Sequence, residues 1–305
     1  MRLRISATLA VLAITAIGAG CGSSNDNTSS TSASAAKTAT PGINVPVDPT
    51  IAAAVPADIK SGGTVTVAAD ATYAPDEFIA PDGKTVIGAD ADLAKAIGQV
   101  MGLKAEVQDA PFDSIIPGID AGKYNLGMSS FTDTKEREKV VDFVTYLTAG
   151  TSFFVSADNG PDIASLDALC GHSVAVEKGT TQQEDATAQN EKCTKAGNGG
   201  VDVQVYPDQT EVNLTVVSGR AEVGMADSPV ADYAVVQSDG KLKLTGGSYA
   251  NEPYGIAMAK DSGMQQPVLD AVKAIMADGT YDKILEYWGL KDGAIDNPVI
   301  DGAVS

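Results

Sequence analysis

The residues of this 305-residue chain best suited to chemistry are polar and fall at the ends of short β-rich runs: Asp70, Ser129, Ser130, Thr132, Thr181 and Asp227. In open α/β sheets, ligands bind beyond the carboxyl ends of the strands. Hydroxyls with a carboxylate suit a cation there, whereas free N–H groups at the start of a helix suit an anion. Thr181 opens such a helix after Gly179 and Thr180. Arg137 adds a planar fork of donors that matches a carboxylate at two points. Together these side chains form a mixed-charge set suited to a zwitterion. Each alone also reads as an ordinary feature. Asp227 can cap the helix near Pro229, Arg137 can pair on the surface with Glu136 or Glu138, and Glu177 can be a solvated strand end.

Catalytic signatures are scarce. His172 is the single histidine, so a Cys/His pair or a Ser/His/Asp arrangement has little to draw on. No Cys pair has zinc spacing. Binding without catalysis, metal or cofactor is therefore expected; Glu177 is the one candidate general acid for an enzyme. The net charge of −19 argues against nucleic acid, because phosphate binding needs a basic face.

The elements that position these residues follow from periodicity. Thr64 to Ala69 alternates as a strand and stops at Asp70. Leu93, Ile97, Val100 and Met101 share one helical face. Strands are expected at 105–108, 124–128 and 140–144, with a short helix carrying Ile115, Ile116 and Ile119, and a further one capped by Thr134. The pattern then restarts: strands at 173–177, 201–206 and 221–226 alternate with helices at 181–190, around 212–217, and after Pro229. Two such series predict two α/β lobes with largely parallel sheets. A strand at 254–259 and two amphipathic helices (Val268 to Met276, then Ile284 to Trp288) would complete the first lobe, giving two chain crossings.

The N-terminus reads as an export signal. Arg2 and Arg4 precede an apolar stretch from Ala7 to Ile17, too short for a membrane span, then Gly18-Ala-Gly20 before Cys21. Residues 22–40 are small and polar and cannot offset their ordering entropy by burial. The segment 41–61, with four prolines, is kept outside the core. If Cys21 is acylated, Cys170 and Cys193 remain, as a disulfide in an oxidising compartment or as two buried thiols.

The chain resembles family 3 of the bacterial extracellular solute-binding proteins, the polar amino-acid receptors of ABC importers. The resemblance rests on an ordered set of segments. These are Asp70-Ala-Thr-Tyr-Ala-Pro75, Gly88-Ala-Asp-Ala-Asp-Leu-Ala94, Phe112-Asp-Ser-Ile-Ile-Pro117 and Met128-Ser-Ser-Phe-Thr-Asp-Thr-Lys-Glu-Arg137. Val141-Asp-Phe143, Gly179-Thr-Thr-Gln182, Ala226-Asp-Ser-Pro-Val230, Glu252-Pro-Tyr-Gly-Ile256 and Asp278-Gly-Thr-Tyr281 follow. Two positions depart from it: Ala89, where the family usually has an aromatic residue, and Asp76, where it often has Phe.

The resemblance implies a type II periplasmic-binding-protein-like fold, two α/β lobes closing around one ligand. Residues 1–20 would be a signal peptide and 21–61 a lipid-tethered linker. Residues 62–152 and 248–290 would form lobe 1, 153–247 lobe 2, and 291–305 a C-terminal tail. Arg137 would clamp the ligand carboxylate with the helix start at Thr180 and Thr181. Asp227 would hold the ammonium with Ser130 and Thr132, beside Ser129. Tyr73 and Phe112 would stack on the aliphatic part, and Asp70 and Glu177 would face the side chain, favouring arginine, lysine or a neutral polar residue over glutamate. The implied partners are a free amino acid, ABC importer permease subunits, and the membrane through a lipid on Cys21, with the protein acting as a monomer on the outer face of the cell membrane. A sensing subunit for a signalling partner, or a dehydratase acting on cyclic phenylalanine precursors, are the alternatives.

Overall fold

The computed structural model describes residues 39–305. The expected signal peptide, Cys21 and the first part of the tether lie outside the described residues. No helix among the described residues is long and apolar enough to cross a membrane.

Two helices, α1 (Pro49–Ala54) and α2 (Ala57–Gly62), precede β1 (Thr64–Ala69). A small antiparallel sheet of β2 (Thr72–Tyr73), β3 (Glu77–Ile79) and β4 (Val86–Ile87) follows. Next come α3 (Ala89–Val100), β5 (Lys104–Asp109), α4 (Phe112–Asp120) and β6 (Leu126–Gly127). The long strand β7 (Val141–Ser156) leads into β8 (Ser173–Glu177), α5 (Thr181–Ala196), β9 (Asp202–Tyr206), α6 (Gln209–Val217), β10 (Val223–Asp227) and α7 (Ser228–Gln237). A second long strand, β11 (Leu242–Ala259), returns the chain to α8 (Gln265–Ala277) and α9 (Thr280–Trp288).

The strand order β5-β1-β6-β11-β7-β10-β8-β9 shows how the two lobes are joined. The pairs β1/β5, β1/β6, β8/β10 and β8/β9 are parallel, as the alternation of strands and helices predicts. The antiparallel pair β7 and β11 runs through both lobes. The end of β11 at Ala257 and Met258 meets β6, whereas the end of β7 from Thr151 to Val155 meets β10. These two strands are the two chain crossings. Sequence reading finds only one end of each, because the apolar alternation breaks in their middles, where β11 has irregular register near Thr245, Tyr249 and Glu252.

One core packs α3, α8 and α9 through Leu93, Ile97, Val272, Ile284 and Trp288. Another lies in the second lobe, with Phe153, Leu169, Val174, Val176 and Met225. The exclusion of 41–61 from the core is corrected. Val45, Ile51 and Val55 are buried in the first core, and Asp48 caps α1 by accepting from the Thr50 and Ile51 N–H groups at 2.7 and 3.1 Å. The prolines mislead because Pro49 occupies the first helical turn, where no N–H is needed. Residues 299–302 run alongside β7: the Thr145 and Asp301 N–H groups donate to Val299 and Phe143 carbonyls, at 2.9 and 3.0 Å.

Cys170 and Cys193 form a disulfide, with Cα atoms 5.5 Å apart, tying the turn before β8 to α5.

Candidate ligand-binding site

Strand ends and helix starts from both lobes converge on one small cavity. Tyr73, Phe112, Ser130, Thr132 and Arg137 line it from the first lobe. Thr180, Thr181 and Asp227 line it from the second. Eight of the residues singled out from the sequence are thus brought together.

Arg137 sits in a single 3₁₀ turn (Arg137–Lys139), which Thr134 helps form by accepting from the Arg137 N–H at 3.2 Å. Its guanidinium lies over the rings of Phe112 and Phe131, 5.3 and 5.5 Å from their centroids. Nη1 donates to the Thr132 carbonyl at 2.8 Å and Nη2 to the Gly179 carbonyl at 3.1 Å. The surface reading of this arginine fails: Glu136 pairs with Lys139, and Glu138 accepts from the Ala303 N–H. Among the described residues no carboxylate forms an ion pair with Arg137, so it faces the cavity as an available cation.

The opposite wall is the start of α5. Gly179 holds φ +82°, a left-handed turn that favours glycine. Thr180 is the N-cap; its Oγ1 accepts from the Gln183 N–H at 3.2 Å. The cavity therefore meets a helix N-terminus and a guanidinium together, an arrangement for an anionic group.

Asp227 occupies the N-cap position of α7, but its side chain makes no capping bond. Instead Gln182 Nε2 donates to Oδ1 at 2.6 Å and the Tyr254 hydroxyl donates to Oδ2 at 2.7 Å. The capping reading is thereby replaced by one in which the carboxylate is fixed beside the cavity. Burial pushes its pKa up to about 6 despite these bonds and nearby Arg137.

Ser130 has a left-handed backbone, φ 49°, uncommon for serine. Its N–H donates to Asp90 Oδ2 at 3.1 Å and its hydroxyl to Asp76 Oδ2 at 2.8 Å. Tyr146 donates to both oxygens of Asp90 at 2.8 Å.

Three expected contacts lie off the cavity wall. Ser129 is fully buried, and its hydroxyl accepts from the Asp70 N–H at 2.8 Å. Asp70 accepts from the Thr72 hydroxyl at 2.7 Å and caps α4 through the Phe112 N–H at 2.9 Å. Glu177 is 1% exposed, so the solvated strand-end reading is excluded, and neither carboxylate oxygen has a hydrogen-bond partner. Burial, then Asp70, pushes the Glu177 pKa up to about 10; burial raises Asp70 to about 6. Both acids adjoin Tyr73, which lines the cavity where they do not. Lys178 does not offset Glu177: it pairs with Asp113 at 2.7 Å.

Sequence reading misses Gln182, Gln209, Ala226 and Val230 as lining residues, and Tyr254 as the partner of Asp227. Gln182 had a signal, since it sits in the first turn after Thr181. Gln209 had none; only the packing of α6 against β2, with the Gln209 N–H donating to Thr72 Oγ1 at 3.2 Å, brings it in. His172 lies away from these groups, its Nδ1 3.2 Å from Glu222. Among the described residues no group of three or more His, Cys, Asp or Glu could hold a metal ion.

Residues 65–291 match the family model for bacterial extracellular solute-binding proteins, family 3. The chain belongs to this family, whose members are extracellular or periplasmic. The arginine-binding protein ArgT of Corynebacterium glutamicum is 31% identical over 254 residues, which is 83% of each chain. The solved structure of an ancestral arginine-binding protein bound to arginine is 35% identical, with a TM-score of 0.69 over 74% of this chain and 98% of that one. The amino acid ABC transporter substrate-binding protein AbpA of Streptococcus pneumoniae, bound to L-arginine, is 26% identical with a TM-score of 0.68, covering 75% of this chain and 96% of that one. These relatives are binding proteins.

Proposed function

We propose that this protein captures a free amino acid with a cationic or neutral polar side chain and delivers it to the permease of an ABC importer. The observation that carries the reading is the pairing, across one cavity, of Arg137 with the α5 N-terminus, and of Asp227 with Ser130 and Thr132. A ligand carboxylate meets the first pair and a ligand ammonium the second. Tyr73 and Phe112, with ring centroids 5.6 Å apart, offer apolar faces to the carbon chain. Asp70 and Glu177 stand beside Tyr73 as acids that a cationic side chain would draw toward ionisation, favouring arginine or lysine over glutamate. The arginine-binding relatives support the same choice.

Closure would move two bodies, 62–152 with 248–290 against 153–247, with β7 and β11 as the hinge. The protein would be held as a monomer at the outer face of the membrane by a lipid on Cys21. Mass spectrometry of the ligand released by denaturing the purified protein, followed by calorimetric titration, tests the function. Release of no amino acid, together with no binding of arginine, lysine, glutamine or glutamate, would refute it. Cys21→Ser should move the protein from the membrane fraction to the soluble one.

A second reading rests on Glu177. A buried carboxyl that stays protonated at neutral pH is suited to general-acid work on a cyclic phenylalanine precursor. Turnover of such a precursor, abolished by Glu177→Gln, would favour it over binding alone.

A further inference from the structure

Asp76 is a buried acid outside the cavity wall, directly behind Ser130. It follows Pro75 and is held by its backbone: its N–H donates to the Tyr73 carbonyl at 2.8 Å, and its carbonyl accepts from the Asp90 N–H at 2.9 Å. Gly88 packs so tightly on this segment that a Cβ would stand 2.1 Å from the Asp76 carbonyl oxygen. The side chain is 1% exposed. Its Oδ2 accepts the Ser130 hydroxyl, and its Oδ1 has no hydrogen-bond partner. The charged groups around it are all acids: Asp90 on α3, Glu77 on β3 and Asp227 at the end of β10. None of the ion pairs among the described residues includes it. A buried carboxylate without a countercharge is costly, and here the pKa is pushed well above the usual range by burial and by Asp90. A cation that enters the site would favour its ionised form.

We infer that Asp76 is a positioning residue for the ammonium group of the ligand, acting through Ser130. This rests on the amino-acid-binding function proposed above. A serine hydroxyl has one proton to give and two lone-pair directions to receive. With that proton committed to Asp76, Ser130 Oγ presents only lone pairs to the cavity. It then accepts from an ammonium and offers nothing to a ligand carbonyl or carboxylate oxygen. The carboxyl oxygen behind it polarises the hydroxyl, the more so once the ammonium draws Asp76 toward ionisation, and strengthens that bond. The left-handed backbone at Ser130, with its N–H held by Asp90, keeps the side chain in this orientation. The ammonium subsite is thus built from Asp227 in one lobe and a relayed acid in the other, and the end of the cavity occupied by Arg137 is left to the carboxylate.

The experiment compares arginine with its α-hydroxy analogue, which carries a neutral hydroxyl in place of the ammonium, on the full-length parent, Asp76→Asn, Ser130→Ala and the double variant. Calorimetry gives the affinity for arginine and competition gives that for the analogue. Asp76→Asn should weaken arginine about 3- to 10-fold while leaving the analogue within about twofold. Ser130→Ala should show the same selectivity, and the double variant should lose no more than Ser130→Ala alone. Equal losses for both ligands, full additivity in the double variant, or unchanged arginine affinity in Asp76→Asn would overturn the inference. Should Asp76→Asn fail to fold, Asp76→Ser is read by the same selectivity, and equal effects on both ligands or none on arginine would overturn the inference. A parent that binds none of the four amino acids titrated above refutes the underlying function instead.

Discussion

The guanidinium of Arg137 donates to the carbonyl oxygen of Gly179 at 3.1 Å, which joins the two lobes directly across the cleft. The same carbonyl belongs to the left-handed turn that starts α5, so the arginine and the helix N-terminus are held at one place. Thr72 with Gln209 and Lys178 with Asp113 also span the cleft. The described arrangement is therefore a closed one, and it fixes what each substitution should do.

Arg137→Ala removes the guanidinium from the cavity wall and leaves a ligand carboxylate with helix N–H groups alone. Losing one partner of a buried charged pair costs about 2–5 kcal/mol, so affinity should fall at least tenfold. Titration of a variant whose circular dichroism matches the parent checks this. Binding within twofold of the parent would exclude the clamp.

Side-chain preference should follow the acids beside Tyr73. Arginine or lysine should bind more tightly than glutamine, and glutamine more tightly than glutamate. Because Lys178 is occupied by Asp113, it does not offset the preference of these acids for a cation. Glu177→Gln should narrow the gap between arginine and glutamine. Calorimetric titration of the four amino acids against both proteins decides it, and tighter binding of glutamate by the parent would rule the assignment out.

The buried acids give an unusual pH dependence. Asp70 and Asp227 sit at about 6 and Glu177 at about 10, all above their ordinary values. Folded groups with raised pKa values hold protons more tightly than the unfolded chain. Their stabilisation is complete below the unfolded pKa and is lost as pH rises through the folded one. The ligand-free protein should therefore unfold at progressively lower temperature from about pH 5 to about pH 9. For a fully buried group, each tenfold difference in proton affinity between the folded and unfolded chain corresponds to about 1.4 kcal/mol. Glu177→Gln should flatten the upper half of that profile. Arginine, by supplying the countercharge, should release protons on binding and bind more tightly as pH rises toward neutrality. Thermal melts and titrations in buffers of different ionisation enthalpy provide the readouts.

The Cys170–Cys193 bridge closes a loop with a sequence separation of 23 residues. By the loop-entropy argument it stabilises by about 3 kcal/mol. Replacing both cysteines with serine should lower the unfolding midpoint accordingly while leaving arginine affinity nearly unchanged, since the bridge lies outside the cavity wall. In the unreduced parent, neither thiol should be alkylated.

Closure should be visible in solution. One ligand touching Arg137 and Ser130 in one lobe and Thr181 and Asp227 in the other stabilises the closed state through differential contacts. Small-angle scattering should show a smaller radius of gyration with arginine than without. An unchanged radius at saturation, in a protein that starts open, would argue against a hinge at β7 and β11.

The sequence by itself determined the alternation of strands and helices, the two-lobed class and most of the cavity wall. Those features are local: apolar period, the helix start after Gly179 and Thr180, and polar residues at strand ends all read along the chain. It also marked Asp70 and Glu177 as acids, but not that Tyr73 would line the cavity while they lie off its wall. It could not show that Asp227 abandons its helix cap for Gln182 and Tyr254, partners 45 and 27 residues away. Nor could it show that 41–61 buries Val45, Ile51 and Val55, because proline counts do not reveal which side chains find a groove. Only the tertiary structure placed Asp76 behind Ser130, 54 residues apart, since a buried charge is defined by what surrounds it in space and not by its neighbours in the chain.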